Sequence, residues 1–387
     1  MDSFRSRLTE LPLDHKKVLL RFDGNVPIEY GKIVDDYRLE ALRPTLDYLK
    51  SKHCTIILAT HIGRPEHPSP QFSTQHLMPW FTKHGYPVTL HPSLDIVPGT
   101  GGMFLLENLR FFPGELTQDP TFTKQLARLA DFYVTEAFGS LHRKNASVVN
   151  VPMLFPKSQR TFGFLVEKEL NELSKLITGP KKPFIILCGG GKAHDKIPLL
   201  LNLMPFADTM LILPAIAHTF AQELGKQMGK SIKEPTATVR PILEKARETG
   251  TRILLPRDYQ IANDSFEGPL SYTTSDEIPK NGVGISIGPK TIQAFDKKIA
   301  EGQTIFFNGI PGLLKRPETL EGARELLTSM AHARGYTVIG GGDTVAVARL
   351  FNLDHQIDFC STGGGATLAY LSGTQLPGLA PFIASST

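Results

Sequence analysis

A two-lobed α/β fold, with parallel sheets covered by helices, is what the sequence predicts, and three observations predict it. The chain has 387 residues, more than one hydrophobic core usually serves. Short apolar runs recur along it and read as buried strands. Amphipathic stretches of helical length lie between them, and that alternation is the mark of parallel sheets wrapped by helices.

The first part supplies the strands KVLLRF, CTIILAT, MFLLEN and DFYVTEA, and the second supplies PFIILCGGG, TMLILPA, RILLPRD, VGISIG, TIFFNG and YTVIGGG. The helical stretches include RLEALRPTLDYLKSKH, FTKQLARLA, TVRPILEKARETG and TIQAFDKKIAEG. A long helical pattern from Gln159 to Ile177 separates the two blocks and stops at the breaker TGPKKP, so we read it as an interdomain helix. The expected division is residues 1–158, a helix over 159–178, and residues 179–372. No internal repeat or low-complexity tract is present.

Composition narrows the function classes. Hydrophobic residues at 41% and charged residues at 21% suit a packed globular chain and argue against disorder. The net charge of +4 is spread along the chain without the basic stripe that nucleic acid requires, so a small anionic substrate fits better. Cys54, Cys188 and Cys360 are far apart and lack zinc-site spacing, which reads as reduced, buried and structural. The N-terminus has no signal-like apolar stretch and no run of about 20 apolar residues could span a bilayer, so the expectation is a cytoplasmic protein with no membrane partner. The sequons at Asn145 and Asn263 carry no meaning without secretion.

Three glycine runs stand where strands turn into helices: Gly189-Gly190-Gly191, Gly340-Gly341-Gly342 and Gly363-Gly364-Gly365. Glycine lets backbone N–H groups approach an anion, and the following helix adds its positive end. The same runs also serve simple tight turns, but three together favour a phosphate cradle. Lys192 and Lys196 are four residues apart at a helix start and can reach one anion. The GxxxxGK[ST] spacing is absent, so this is not a Walker A loop. Asp343 follows a glycine turn and suits a magnesium ion carried by phosphate oxygens; a helix N-cap is its other reading.

The first half holds a different set. Arg21, Asp23 and Asn25 follow a strand, Arg38 begins a helix, and His61, Arg64, Arg110, His142 and Arg143 fall in loops after strands. Arginine's planar fork matches carboxylate and phosphate, so these residues on one face would hold a small phosphorylated acid. Spacing alone does not decide whether they converge.

RFDGNVP, DDYRLEALRPT, THIGRP, ENLRFFPGE, EAFGSLHRKNASVV, GGGKAHDKI, IGPKT, FNGIPG, IGGGDT and STGGGATL resemble, in order, the signature segments of phosphoglycerate kinases, and they span nearly the whole chain. The resemblance implies two doubly wound α/β lobes joined by the interdomain helix and a hinge. It places 3-phosphoglycerate or 1,3-bisphosphoglycerate on the N-terminal lobe, and ADP or ATP with Mg²⁺ on the C-terminal lobe. By position, Asp23, Asn25, Arg38, His61, Arg64, Arg110 and Arg143 would form the phosphoglycerate site. Lys192, Lys196, Asn308, Gly340, Gly341, Gly342, Asp343 and Thr344 would hold the nucleotide, with Asp343 on the metal. Arg38, Lys196 and the amides at Gly341 and Gly364 would stabilise the phosphoryl group in a direct in-line transfer. The tail, residues 373–387, would return to the first lobe. The expected species is a monomer acting on small molecules, with no nucleic acid.

Some family positions differ. Leu213-Pro214-Ala215 replaces a glycine-rich stretch near the adenine, and Lys315 replaces a glutamate on the ribose hydroxyls, with Glu318 a nearby substitute. Gly24, Glu136 and Ala369 also depart from the pattern. These differences motivate a second reading, a catalytically impaired phosphoglycerate-binding relative. A third comes from Gly284-Ile285-Ser286-Ile287-Gly288, which fits the GxSxG of serine hydrolases, with Asp343 and His355 following in order.

Overall fold

The computed structural model describes residues 6–382 apart from residues 92, 96–98 and 192. The chain forms two compact units, one running to Asn171 and resuming at Gln375, the other running Glu172–Thr374. Among the described residues no helix is long and apolar enough to cross a membrane.

In the first unit the strands are β1 (Lys17–Phe22), β2 (Ile28–Glu29), β3 (Lys32–Ile33), β4 (Thr55–Ala59), β5 (Val88–His91), β6 (Met103–Leu106), β7 (Phe132–Glu136) and β8 (Arg160–Phe162). Six form a sheet of order β5-β6-β4-β1-β7-β8 that is parallel throughout, and β2 pairs with β3 as a separate hairpin. Val18, Leu20 and Phe22 of β1 enter one core with Ile56, Leu58, Met103 and Val134. Leu19 enters the core on the opposite face with Ile57, Leu106 and Tyr133. Both faces are therefore buried, which is why these strands read as continuous apolar runs rather than as alternation.

The second unit continues with β9 (Phe184–Gly190), β10 (Thr209–Ala215), β11 (Arg252–Leu254), β12 (Tyr259–Asn263), β13 (Leu270–Tyr272), β14 (Gly282–Ile287), β15 (Thr304–Asn308), β16 (Tyr336–Gly340) and β17 (Phe359–Cys360). Its main sheet has the order β11-β10-β9-β15-β16-β17, again parallel. VGISIG forms β14 in a separate antiparallel sheet, β13-β12-β14. No helix lies between β12 and β14, so the chain has no crossover with which to pair them in parallel.

The helix expected over 159–178 is shorter in the structure, Phe164–Ser174, because Arg160–Phe162 joins the first sheet as β8. Two side chains enforce this. The Arg160 guanidinium is held by the carbonyls of Pro152, Phe155 and Pro381 at 3.0, 2.9 and 2.9 Å. The buried Glu136 carboxylate accepts from the backbone N–H groups of Leu165 and Val166, each at 3.0 Å, and so caps the helix that follows. A side chain at Gly163 would sit 2.3 Å from Glu136 Oε1, so the glutamate occupies the space a larger residue would need. After Thr374 the chain meets the first unit again, where the Gly378 N–H donates to the Leu141 carbonyl at 2.9 Å and Phe382 stacks on Tyr133. Residues 383–387 of the expected tail lie outside the described residues.

Burial pushes the Glu136 carboxyl up to about 7, against the opposing pull of Thr45 and the backbone donors. The folded state thus holds this proton more tightly than the unfolded chain, and stability falls as pH rises from the ordinary carboxylate range to about 7. Denaturant unfolding of wild type and Glu136→Gln across that range should show a decline on the order of 3 kcal/mol greater in wild type than in the variant. Parallel pH profiles for the two proteins would contradict it.

Candidate active site

In the first unit the polar residues sit at the carboxyl ends of the adjacent strands β6, β4, β1 and β7, where an open parallel sheet collects its ligands. Arg38 Nη1 lies 3.2 Å from Asp23 Oδ2 and donates to the Asn25 carbonyl at 3.0 Å, which holds the guanidinium over the end of β1. The Asn25 side-chain oxygen accepts from the Gly63 N–H at 2.8 Å, tying this loop to the one after β4. Arg110 Nη1 donates to the Gly63 carbonyl, and its buried Nε has no hydrogen-bond partner among the described residues. Gly24 fits because Phe22, Leu77 and Thr60 fill the space, each with an atom 2.9 Å from where a Cβ would stand.

The cations converge. Burial holds His61 well below the imidazole range, and Arg21, Arg110, Arg143 and Arg38 push it further the same way. Burial likewise lowers Arg110 to about 10, assisted by Arg143, Arg21 and Arg64. Arg143 is lowered by burial and by Arg64, with Asp23 opposing. Five guanidinium groups around a neutral imidazole make a site that favours an anion strongly. Arg21 differs from the rest: it is 1% exposed and turned inward.

In the second unit the ends of β9, β15, β16 and β17 line a cleft of about 360 Å³ containing Gly189, Gly190, Gly191, Gly341, Gly342, Gly364 and Gly365. Gly190, Gly341 and Gly364 have φ of 110°, 94° and 51°, a region open to glycine and unfavourable for other residues. The same cleft holds Lys196, Asn308, Asp343 and Thr344. Lys196 Nζ donates to Asn308 Oδ1, Asn308 Nδ2 donates to the Gly340 carbonyl at 2.7 Å, and Thr344 Oγ1 accepts from the Gly309 N–H at 2.9 Å. Asp343 is exposed in the cleft, and its carboxylate has no hydrogen-bond partner among the described residues. Lys192 lies outside the described residues.

A second cleft of about 670 Å³ shares Gly190, Gly191, Gly309 and Asp343 with the first, so the two are continuous. Its walls include Phe266, Leu313, Leu314 and Lys315. Glu318 also lines it, but its carboxylate is taken by Arg316 Nε at 2.9 Å. Leu213 is fully buried and stands behind Gly189 rather than in either cleft. A groove of about 680 Å³ between the helices Pro289–Glu301 and Glu321–Ala331 contains neither the glycine runs nor the converging arginines.

The hydrolase reading is overturned. Ser286 is fully buried inside β14, its Oγ has no partner among the described residues, and a Cβ at Gly322 would lie 3.0 Å from it. A nucleophile elbow needs an exposed serine on a strand-to-helix turn. The intended partners are elsewhere: Asp343 lines the glycine cleft and His355 sits beside Asp354. Sequence reasoning in turn passed over Glu115 and Ser147, although both fall in quoted segments. They are completely buried beneath the arginine cluster, in the first turns of the helices Pro113–Thr117 and Ala146–Met153, and an acidic or small residue there gives no sign in the sequence of facing inward.

The sequence pattern of the family described as phosphoglycerate kinase matches residues 8–374. The chain is 38% identical to the phosphoglycerate kinase of Chlamydia trachomatis serovar A, over 96% of each sequence. It is 37% identical to that of Thermosipho africanus, again over 96% of each. Among solved structures, phosphoglycerate kinase from Coxiella burnetii superposes with a TM-score of 0.85 at 31% identity, covering 97% of both chains. The enzyme from Pyrococcus horikoshii gives 0.85 at 25% identity, covering 98% of both. With two parallel-sheet units, converging arginines on one and a glycine-lined cleft on the other, the chain belongs to the phosphoglycerate kinase family.

Proposed function

We propose that this phosphotransferase moves a phosphoryl group reversibly between 1,3-bisphosphoglycerate and Mg-ADP, giving 3-phosphoglycerate and Mg-ATP. The observation that carries the reading is the different lining on each unit, converging arginines on one and glycine turns with Lys196 on the other. Arginine forks around His61 suit a carboxylate and a phosphate on a short acid. Glycine amides with Lys196 suit a polyphosphate.

In this reading Asp23, Asn25, Arg38, His61, Arg64, Arg110 and Arg143 bind the phosphoglycerate. Lys192, Lys196, Asn308, Gly340, Gly341, Gly342 and Thr344 hold the nucleotide phosphates. An oxygen of the ADP β-phosphate attacks phosphorus, the acyl P–O bond breaks, and the carboxylate leaves, with no covalent enzyme intermediate. Arg38 and Lys196, with the amides at Gly341 and Gly364, neutralise charge on the phosphoryl oxygens. Both cations are already held, on Asp23 and on Asn308, so little ordering remains for the transition state. Transfer requires both ligands at once, which the hinge closure implied by the family resemblance would provide.

Magnesium enters as part of the nucleotide substrate and supplies charge neutralisation at the phosphates. Among the described residues no group of three or more His, Cys, Asp and Glu is placed to hold a metal. An unpartnered Asp343 beside the glycine cradle fits an ion that already carries phosphate ligands, because Mg²⁺ binds through one or two carboxylates plus substrate oxygens. We place the enzyme in the cytoplasm as a monomer.

A coupled assay of ATP-dependent 3-phosphoglycerate phosphorylation tests this directly. Wild type should turn over, and Lys196→Ala should lose roughly 100-fold or more in kcat. No turnover with ATP or GTP would sink the catalytic reading and favour the impaired binding relative suggested by Lys315.

Lys315 gives a second prediction. A carboxylate restored by Lys315→Glu should lower KM for ATP several-fold, on the order of 1 kcal/mol for a hydrogen bond to ribose, while KM for 3-phosphoglycerate stays put. An unchanged or higher KM for ATP would show that this part of the cleft does not meet the sugar.

A further inference from the structure

Beneath the arginine cluster lies a chain of buried hydrogen bonds that no substrate can touch. Arg21 Nε donates to Ser147 Oγ at 2.9 Å, Nη1 donates to its neighbour's carbonyl at Phe22, and Nη2 lies 3.1 Å from His61 Nδ1. Ser147 Oγ lies 2.6 Å from Glu115 Oε1, and the Ser147 N–H donates to Glu115 Oε2 at 2.9 Å. Arg21, Ser147 and Glu115 are all essentially without exposure.

Donor and acceptor chemistry then fixes the direction of every bond. A guanidinium has N–H groups only and no lone pair to offer, so His61 Nδ1 must accept from Arg21. Ser147 Oγ accepts from Arg21 and has a single hydrogen, which goes to the Glu115 carboxylate. Glu115 completes the chain as the acceptor opposite Arg21; burial raises its carboxyl, while Arg21 and the Ser147 donors pull it back toward the charged form. The ring proton of His61 is left on Nε2, which has no hydrogen-bond partner among the described residues.

We propose that Glu115 and Ser147 are positioning residues that act through Arg21 to fix His61 as the Nε2–H tautomer, so that the imidazole offers a donor to the anionic substrate. The inference rests on the reading of His61 as a phosphoglycerate-binding residue. A neutral ring with the opposite tautomer would turn a lone pair toward the anion and repel it, so the buried chain determines the sign of the interaction. The exposed Arg64 and the half-buried Arg38, Arg110 and Arg143 attract the anion, and Arg21 does not need to reach it.

Nitrogen-15 NMR of histidine-labelled protein reads the tautomer without substrate. In wild type at neutral pH, His61 should show a protonated Nε2 and an unprotonated Nδ1. Ser147→Ala should mix the tautomers and raise KM for 3-phosphoglycerate about tenfold, with KM for ATP unchanged. Glu115→Gln, which keeps the shape and removes the charge, should shift both readouts the same way by less, and stands in if Ser147→Ala fails to fold. A protonated Nδ1 in wild type, or variants that fold with the wild-type tautomer and wild-type KM, would overturn the proposal. A chain that never turns over phosphoglycerate yet shows the expected tautomer would instead count against the kinase reading, so the two failures are distinguishable.

Discussion

Positive charges gathered on one face repel one another before any anion arrives, and three of the five arginines are anchored to the scaffold of the first unit. Arg38 is held by Asp23 and the Asn25 carbonyl, Arg110 by the Gly63 carbonyl, and Arg21 by Ser147 and its own neighbour's backbone. Burial first, and the neighbouring arginines after it, push Arg110 and His61 toward their neutral forms. Preorganised repulsion of this kind is relieved when an anion binds, which is why the cost of gathering the charges reappears as affinity.

The second unit reaches a related end by other means. Its glycines bring backbone amides, not side-chain charges, to the ends of β9, β16 and β17, and the helices that follow add their positive ends. Only Lys196 among the described residues adds a positive side-chain charge to that cradle, and it is parked on Asn308. The contrast fits the ligands proposed for each unit: a compact acid gripped by directional forks, and an extended polyphosphate lying along a glycine surface. Both sites occupy the carboxyl ends of parallel strands because only there do successive loops and helix starts point the same way.

Much of this was legible in the sequence for physical reasons. Strands buried on both faces must be continuous apolar runs, so KVLLRF and TIFFNG announce themselves. Glycine runs after such strands announce a turn that something must approach. What the sequence hid depended on partners remote in the chain. Arg160–Phe162 looks helical until β7 offers it a ladder and Glu136 caps the helix three residues later. Arg21 reads as one more surface arginine, and only its contacts with Ser147 and His61, 126 and 40 residues away, show it to be internal. Ser286 satisfied a short motif while fully buried near the end of β14, where no substrate reaches. Glu318 was a reasonable replacement for the missing ribose carboxylate until Arg316, two residues away, engaged it.

The central claim is that each unit carries its own anion site, complete without the other's ligand. Titration calorimetry of 3-phosphoglycerate, with and without saturating Mg-ADP, tests it most directly. The account predicts one equivalent bound in both cases, with affinity that weakens as salt is added. Displacement of the acid by the nucleotide, or binding only in its presence, would contradict two separate and preformed sites.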